Sequence, residues 1–286
     1  MKEIKQQFLT GERALFFGRD LKISDTTFAD GESPLKHSDN VELLHCTFKW
    51  KYPLWYSHKA RLYNCTLLDT ARSGVWYTHD VAFHHCTIAA PKTFRHASHI
   101  TLDDVCMPNA AETLWSCSNV YIHNVSACGD YFGMNCQDVD VADFTLQGNY
   151  GFDGAKNVTI SNAHLITKDA FWNCENVTVR DSVILGEYLG WNSKNLTFIN
   201  CTIESLQGLC YVDNLVMKNC KLLNTTLAFE YSTVDADIDG RVDSVLNPSG
   251  GQIIADEIGL LTVEKDRVDP DKTVIVCRGA QQKETK

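Results

Sequence analysis

The chain has 286 residues, 44% of them hydrophobic, and a formal net charge of −10 at pH 7. That length allows a sizeable core, while the acidic balance argues against a nucleic-acid partner or an anionic membrane surface. No run of about 18 apolar residues is present to cross a bilayer. The opening Met1–Arg13 lacks the apolar core of a secretory leader, so a cytoplasmic, reducing location is expected.

Residues 1–13 are polar with scattered apolar positions and suit an N-terminal cap. A frame then begins at Leu21-x-Ile23 with Thr26-x-Phe28, and recurs at Val41/Leu43, Ala60/Leu62, Val81/Phe83, Ile100/Leu102, Val120/Ile122 and Val139/Val141. It is cleanest in four copies that start at Asn157, Asn176, Asn195 and Asn214, the first reading N-V-T-I-S-N-A-H-L. The period is about 19 to 21 residues, and such a repeat decides the fold before anything else.

Within each copy the apolar residues alternate, as in a strand with one buried face. Two such pairs flank a polar position held by His45, Asn64, His85, Asp104, Asn124, Asp143, Asn162, Asp181, Asn200 and Asn219. Asn and Asp tolerate the left-handed conformation and bond nearby backbone, which suits a tight corner. A second polar corner runs from Asn40 to Asn214. Ahead of it lies a further strand, whose inward column includes Leu54, Val75, Phe94, Leu114 and Ala228. Its outward column reads Trp55, Trp76, Arg95, Trp115, Met134, Asp153, Trp172, Trp191, Cys210 and Phe229.

Three strands per turn, one tight corner and one variable corner describe a parallel β-helix of about 11 coils over residues 14–233. Cys46, Cys65, Cys86, Cys201 and Cys220 share one inward column with Val, Phe and Ala, which favours packed thiols over disulfides. Past Tyr231 the spacing becomes irregular, and 234–278 is expected to form C-terminal cap strands. The polar tail 279–286 is expected to be disordered.

The repeat resembles the pectin-lyase-like superfamily, all-β proteins built as single-stranded right-handed parallel β-helices. The ending I-D-G-R-V-D-S-V-L-N-P-S-G-G-Q-I-I-A-D-E-I-G, with the later V-D-P-D-K-T, is similar to an uncharacterised bacterial family, a domain of unknown function. That resemblance implies a fold and handedness but no activity. In the superfamily, the groove over the first strand is the usual place for sugar chemistry.

On that face the sequence puts an aromatic stripe: Trp55, Trp76, Tyr77, Trp115, Trp172, Trp191 and Tyr211, with Tyr56, Phe229 and Tyr231 beside them. Aromatic faces suit the apolar faces of sugar rings, and a large exposed apolar patch usually marks an interaction site. The expected role is carbohydrate binding and, by extension, cleavage. The alternative is a non-enzymatic module whose stripe meets a partner or a second copy of the chain.

The stripe is interrupted by polar residues that form the catalytic candidates, Asp153, Asp130, Arg95 and His96, with Asn135 as a ligand contact and Asp169 on the adjoining corner. Glycosidases need two carboxyls about 5 to 9.5 Å apart, and a lyase needs a base such as Arg95. The superfamily's catalytic motifs are absent, so its residues do not carry over. A weaker candidate, for a metal, is the column His84, Asp103 and His123; the favoured reading there is a hydrogen-bonded ladder, and no cofactor is implied.

Overall fold

The computed structural model describes residues 1–279. Apart from Gly279, the expected disordered tail 279–286 lies outside the described residues. The fold is an all-β, right-handed parallel β-helix, and the one helical element among the described residues is the short turn Pro270–Lys272. The chain divides into two compact units, Met1–Gly148 and a second starting at Asn149.

In the first unit each strand pairs in parallel with the equivalent strand of the next coil. The inward column runs Leu21, Val41, Ala60, Val81, Ile100, Val120 and Val139. In the second unit the equivalent column is Val158, Val177, Leu196, Leu215 and Val234. These side chains are buried while their neighbours along the strand point outward. Each Val, Leu or Ile of these columns contributes about 1.5–3 kcal/mol by leaving water.

The polar corners adopt the left-handed conformation that their residue types favour. In the first unit His45, Asn64, His85, Asp104, Asn124 and Asp143 have φ between 51° and 55°, as do Asn162, Asp181, Asn200 and Asn219 in the second. The second corner stacks amide on amide. Asn176 donates to Asn157 at 3.0 Å, Asn195 to Asn176 at 2.8 Å and Asn214 to Asn195 at 2.8 Å.

All 12 cysteines are free thiols. The Cys46 amide donates to Cys65 Sγ at 3.4 Å, and the Cys65 amide to Cys86 Sγ at 3.3 Å. Burial pushes Cys174 and Cys210 up to about 12, so these thiols stay protonated and serve as packing.

Three expectations are corrected. The coil count is about 15, not about 11. The extra coils come from Lys2–Lys5 with Phe8–Leu9, and from Thr233–Ile238, Gly250–Ala255 and Thr273–Cys277, all in parallel pairing with a neighbouring coil. The first strand of each coil is mostly not a strand: Val75–Trp76 pairs with Phe94–Arg95, a single bridge links Arg95 to Trp115, and most other coils turn there. Alternating positive φ, as at Asp169, Phe171 and Asn173, breaks the ladder.

The end of the outward column also differs from expectation, with Glu230 in place of Phe229. The Tyr211 amide donates to the Glu230 carbonyl, as the Tyr56 amide does to Trp76, so Glu230 takes the outward position and Phe229 turns fully inward. Cys210 is also buried, with its thiol against the carbonyls of Gln207, Gly208 and Leu227.

The Asn ladder can be tested at Asn176, where φ is 59°. Asn176→Ala loses two ladder bonds and places a Cβ without amide compensation in the left-handed region. The expected cost is about 1–3 kcal/mol, read from the urea midpoint; an unchanged midpoint would remove the ladder from the account.

Candidate functional site

The outward rings are fixed from behind. Each Trp of the column donates its indole N–H to a carbonyl about 16 to 18 residues on, in the following coil. Trp76 bonds Lys92 at 2.8 Å, Trp115 bonds Tyr131 at 2.9 Å, Trp172 bonds Tyr188 at 2.6 Å and Trp191 bonds Gln207 at 2.7 Å; Trp55 bonds Ser73 in the same way. The rings are half-buried, so their polar edge is satisfied internally while part of the apolar surface meets solvent.

In the first unit the rings form two parallel ladders. Trp55 stacks on Trp76 at 5.3 Å and 9°. Beside them the corner residues Phe17, His37, Tyr56, Tyr77 and His96 stack in succession at 4.9 to 5.2 Å. Cations sit in the same array. The Lys36 ammonium lies 5.7 Å from the Trp55 ring, and the Arg95 guanidinium lies between Trp76 at 5.0 Å and Trp115 at 4.1 Å. Glu112 binds Arg95 at 2.6 Å and Lys92 at 3.2 Å. Arg95 Nε is buried without a partner. The faces of this guanidinium are spent on indoles. Trp115 has Arg95 on one face and meets Tyr131 edge-on at 6.3 Å. Asp130 and Asn135 are exposed in this unit.

In the second unit Trp172 stacks on Trp191 at 5.8 Å and 14°. The next rings turn: Trp191 to Tyr211 is 53° and Tyr211 to Tyr231 is 43°. Asp153 lies in the coil before Trp172 and accepts from Asn173 at 3.0 Å. The Asp169 carboxyl is pushed up, mainly by burial and then by the charge of Glu187, with Asp153 adding to it. Lys168 pairs with Glu187 at 3.0 Å. Asp130 and Asp153 fall in different units, while Asp153 and Asp169 fall in the same one.

The sequence matches, over residues 2–276, the family described as Protein of unknown function (DUF3737). The chain belongs to that family. A search of the curated proteins finds no match. Solved structures that align with this DUF3737 member include trypsin-treated QnrB1, a plasmid-mediated fluoroquinolone resistance protein. The identity is 14% and the TM-score 0.25, over 78% of this chain and 90% of that one. The A-module of the Azotobacter vinelandii mannuronan C-5 epimerase AlgE4 aligns at 10% identity and TM-score 0.36, over 90% and 88%. A tailspike protein of E. coli bacteriophage HK620, in complex with pentasaccharide, aligns at 11% and 0.39, over 91% and 60%.

The His–Asp column of the DUF3737 chain is a hydrogen-bonded rail. Asp103 bridges His84 at 3.2 Å and His123 at 2.8 Å, and His123 reaches Asp143 at 3.4 Å. Beside it His85 pairs with Asp104, which also accepts from Asn124. Among the described residues no group of three or more His, Cys, Asp or Glu has an arrangement suited to a metal ion, and no helix is long and apolar enough to cross a membrane. Glu230, which the sequence frame passed over, is buried in the outward column; its one-residue displacement from the expected frame hid it.

Two titrations test these assignments. The Asp103 carboxylate raises the pKa of His123, and His123 with His84 lowers that of Asp103. The His123 contribution is therefore full below about pH 6.5 and fades as pH rises through its raised folded value. An NMR titration should place His123 above an ordinary imidazole, and Asp103→Asn should bring it back; no movement in that variant contradicts the rail. Asp169, also raised, likewise loses stability as pH rises, here because its charged form is the disfavoured one: once ionised it destabilises the fold, a cost absent below about pH 3.9. Asp169→Asn should raise Tm at pH 7 and leave it nearly unchanged at pH 3, whereas an equal shift at both would place the cause outside its charge.

Proposed function

We propose that the protein binds carbohydrate on the Trp-lined faces of its two units. One observation carries this reading: the outward indoles are locked by backbone hydrogen bonds yet remain half-exposed. A locked ring loses little entropy on binding, which is what a stacking platform for a sugar requires. Trp115 and Trp172 suit the role best, since each has a face without a parallel ring stacked on it within its own unit. Trp55, Trp76, Tyr77, Trp191, Tyr211 and Asn135 extend the two surfaces.

A cleaving role, in this reading, falls to Asp153 with Asp169. Two carboxyls of one unit, one of them held protonated to higher pH by burial and its neighbours, would serve as the acid and base that glycoside hydrolysis needs. Arg95 and His96 act as members of the ring array. Asp130, exposed on the first unit, is a ligand contact.

The second reading, an interface with another copy of the chain, is favoured by the first unit's ladders, where parallel rings face one another and present edges outward. A glycan array with wild type and the Trp115→Ala/Trp172→Ala double variant separates the two. The carbohydrate reading expects a defined set of sugars whose signal falls at least about tenfold in the variant, equivalent to roughly 1.4 kcal/mol. No glycan signal, together with a dimer in sedimentation that the double variant or Tyr56→Ala/Tyr77→Ala dissociates, would replace it with the interface reading.

A further inference from the structure

Within the second unit carboxylates outnumber cations around the rings, where Lys168 and Arg267 are the cations and each is already paired with a glutamate. Asp153 and Asp169 lie at the Trp172 end with Glu187, and only the last is paired with a lysine. At the other end Glu230 occupies the outward column itself, 8% exposed. Its side chain accepts one long hydrogen bond, from Gln207 Nε2 at 3.4 Å, and makes no ion pair among the described residues. Arg267, close enough for its charge to act on the Tyr231 and Tyr211 phenols, is engaged by Glu264 at 3.2 Å.

A nearly buried carboxylate that makes no ion pair gains from a cation that can reach it. Its charge is felt locally: the Tyr211 phenol is pushed up by burial and then by Glu230. Around it the rings of Trp191, Tyr211 and Tyr231 are tilted by 53° and 43°, which leaves ring faces turned away from one another. Tilted aromatic faces beside a carboxylate that makes no ion pair favour an organic cation by both cation–π attraction and ion pairing. The first unit is the opposite case, because Lys36 and Arg95 already fill the cationic positions over its rings.

We propose that the sugar bound on the second unit's face is a polymer of amino sugars with free ammonium groups, its rings on Trp172 and Trp191 and an ammonium further along the same polymer received by Glu230. This rests on the carbohydrate reading and narrows it to a cationic, de-N-acetylated polymer. The net charge of −10 acts in the same direction by drawing such a polymer toward the protein.

The experiment is calorimetric titration of the full chain at pH 6 with β-1,4-linked glucosamine oligomers and with the same oligomers N-acetylated. The free amine should bind at least about tenfold more tightly, roughly 1.4 kcal/mol, and that advantage should shrink as salt rises. Glu230→Gln, close in shape, should remove most of it, and Trp172→Ala should weaken binding of the amine form. Where Glu230→Gln fails to fold, the salt dependence and Asp153→Asn carry the test. Equal binding of the two oligomers, or binding only when N-acetylated, overturns the ammonium inference and leaves carbohydrate binding standing. Binding of neither oligomer also overturns it; the glycan array then decides separately whether any sugar is bound.

Discussion

The constraint on which the rest depends is the repeat distance between coils. Parallel strands sit about 4.8 Å apart, so every outward or inward position becomes a column of side chains in contact with its equivalents. Such a column must be made of residues that tolerate one another at that spacing. Thiols fill a small inward column, amides hydrogen-bond along a corner, and rings stack along the face. In one column Asp103 stands between His84 and His123. What looks like a set of separate motifs is one rule applied to different columns.

That rule also shapes the candidate binding faces. The left-handed residues that interrupt the first strand free its side chains from sheet geometry and tip the indoles over the next coil, where their N–H groups find carbonyls. The anchoring gives rigid aromatic surfaces without a sheet beneath them. Charge then separates the two units: guanidinium and ammonium lie on the rings in the first, carboxylates beside them in the second. Surfaces built by the same repeat therefore differ in the ligands they favour.

Much of the scaffold was legible in the sequence. The x-Φ-x-Φ pattern of Val158, Ile160, Ala163 and Leu165 names the buried face, and Asn162 names the corner. The corner geometry followed because Asn and Asp carry their backbone preference in their chemistry. Phe171 and Leu209 do not: their positive φ is imposed by the coil and has no residue signature. The count fell short because Lys2–Lys5 contributes a single apolar residue, Ile4, to its coil. At the other end, irregular register between Glu204 and Leu206, and again between Met217 and Cys220, shifted the frame. The same shift exchanged Phe229 and Glu230, which concealed the buried carboxylate. Pairings between side chains, such as Arg95 with Glu112, depend on rotamers that spacing cannot express.

The central claim is that the anchored indoles are the surface a sugar meets. The most direct measurement follows the indole N–H resonances of the 15N-labelled protein during titration with the tightest-binding glycan. The account predicts that Trp172 and Trp191 shift in a saturable way with the binding constant, while their N–H groups stay protected from exchange by the Tyr188 and Gln207 carbonyls. Saturable glycan binding with every indole resonance unmoved would contradict it.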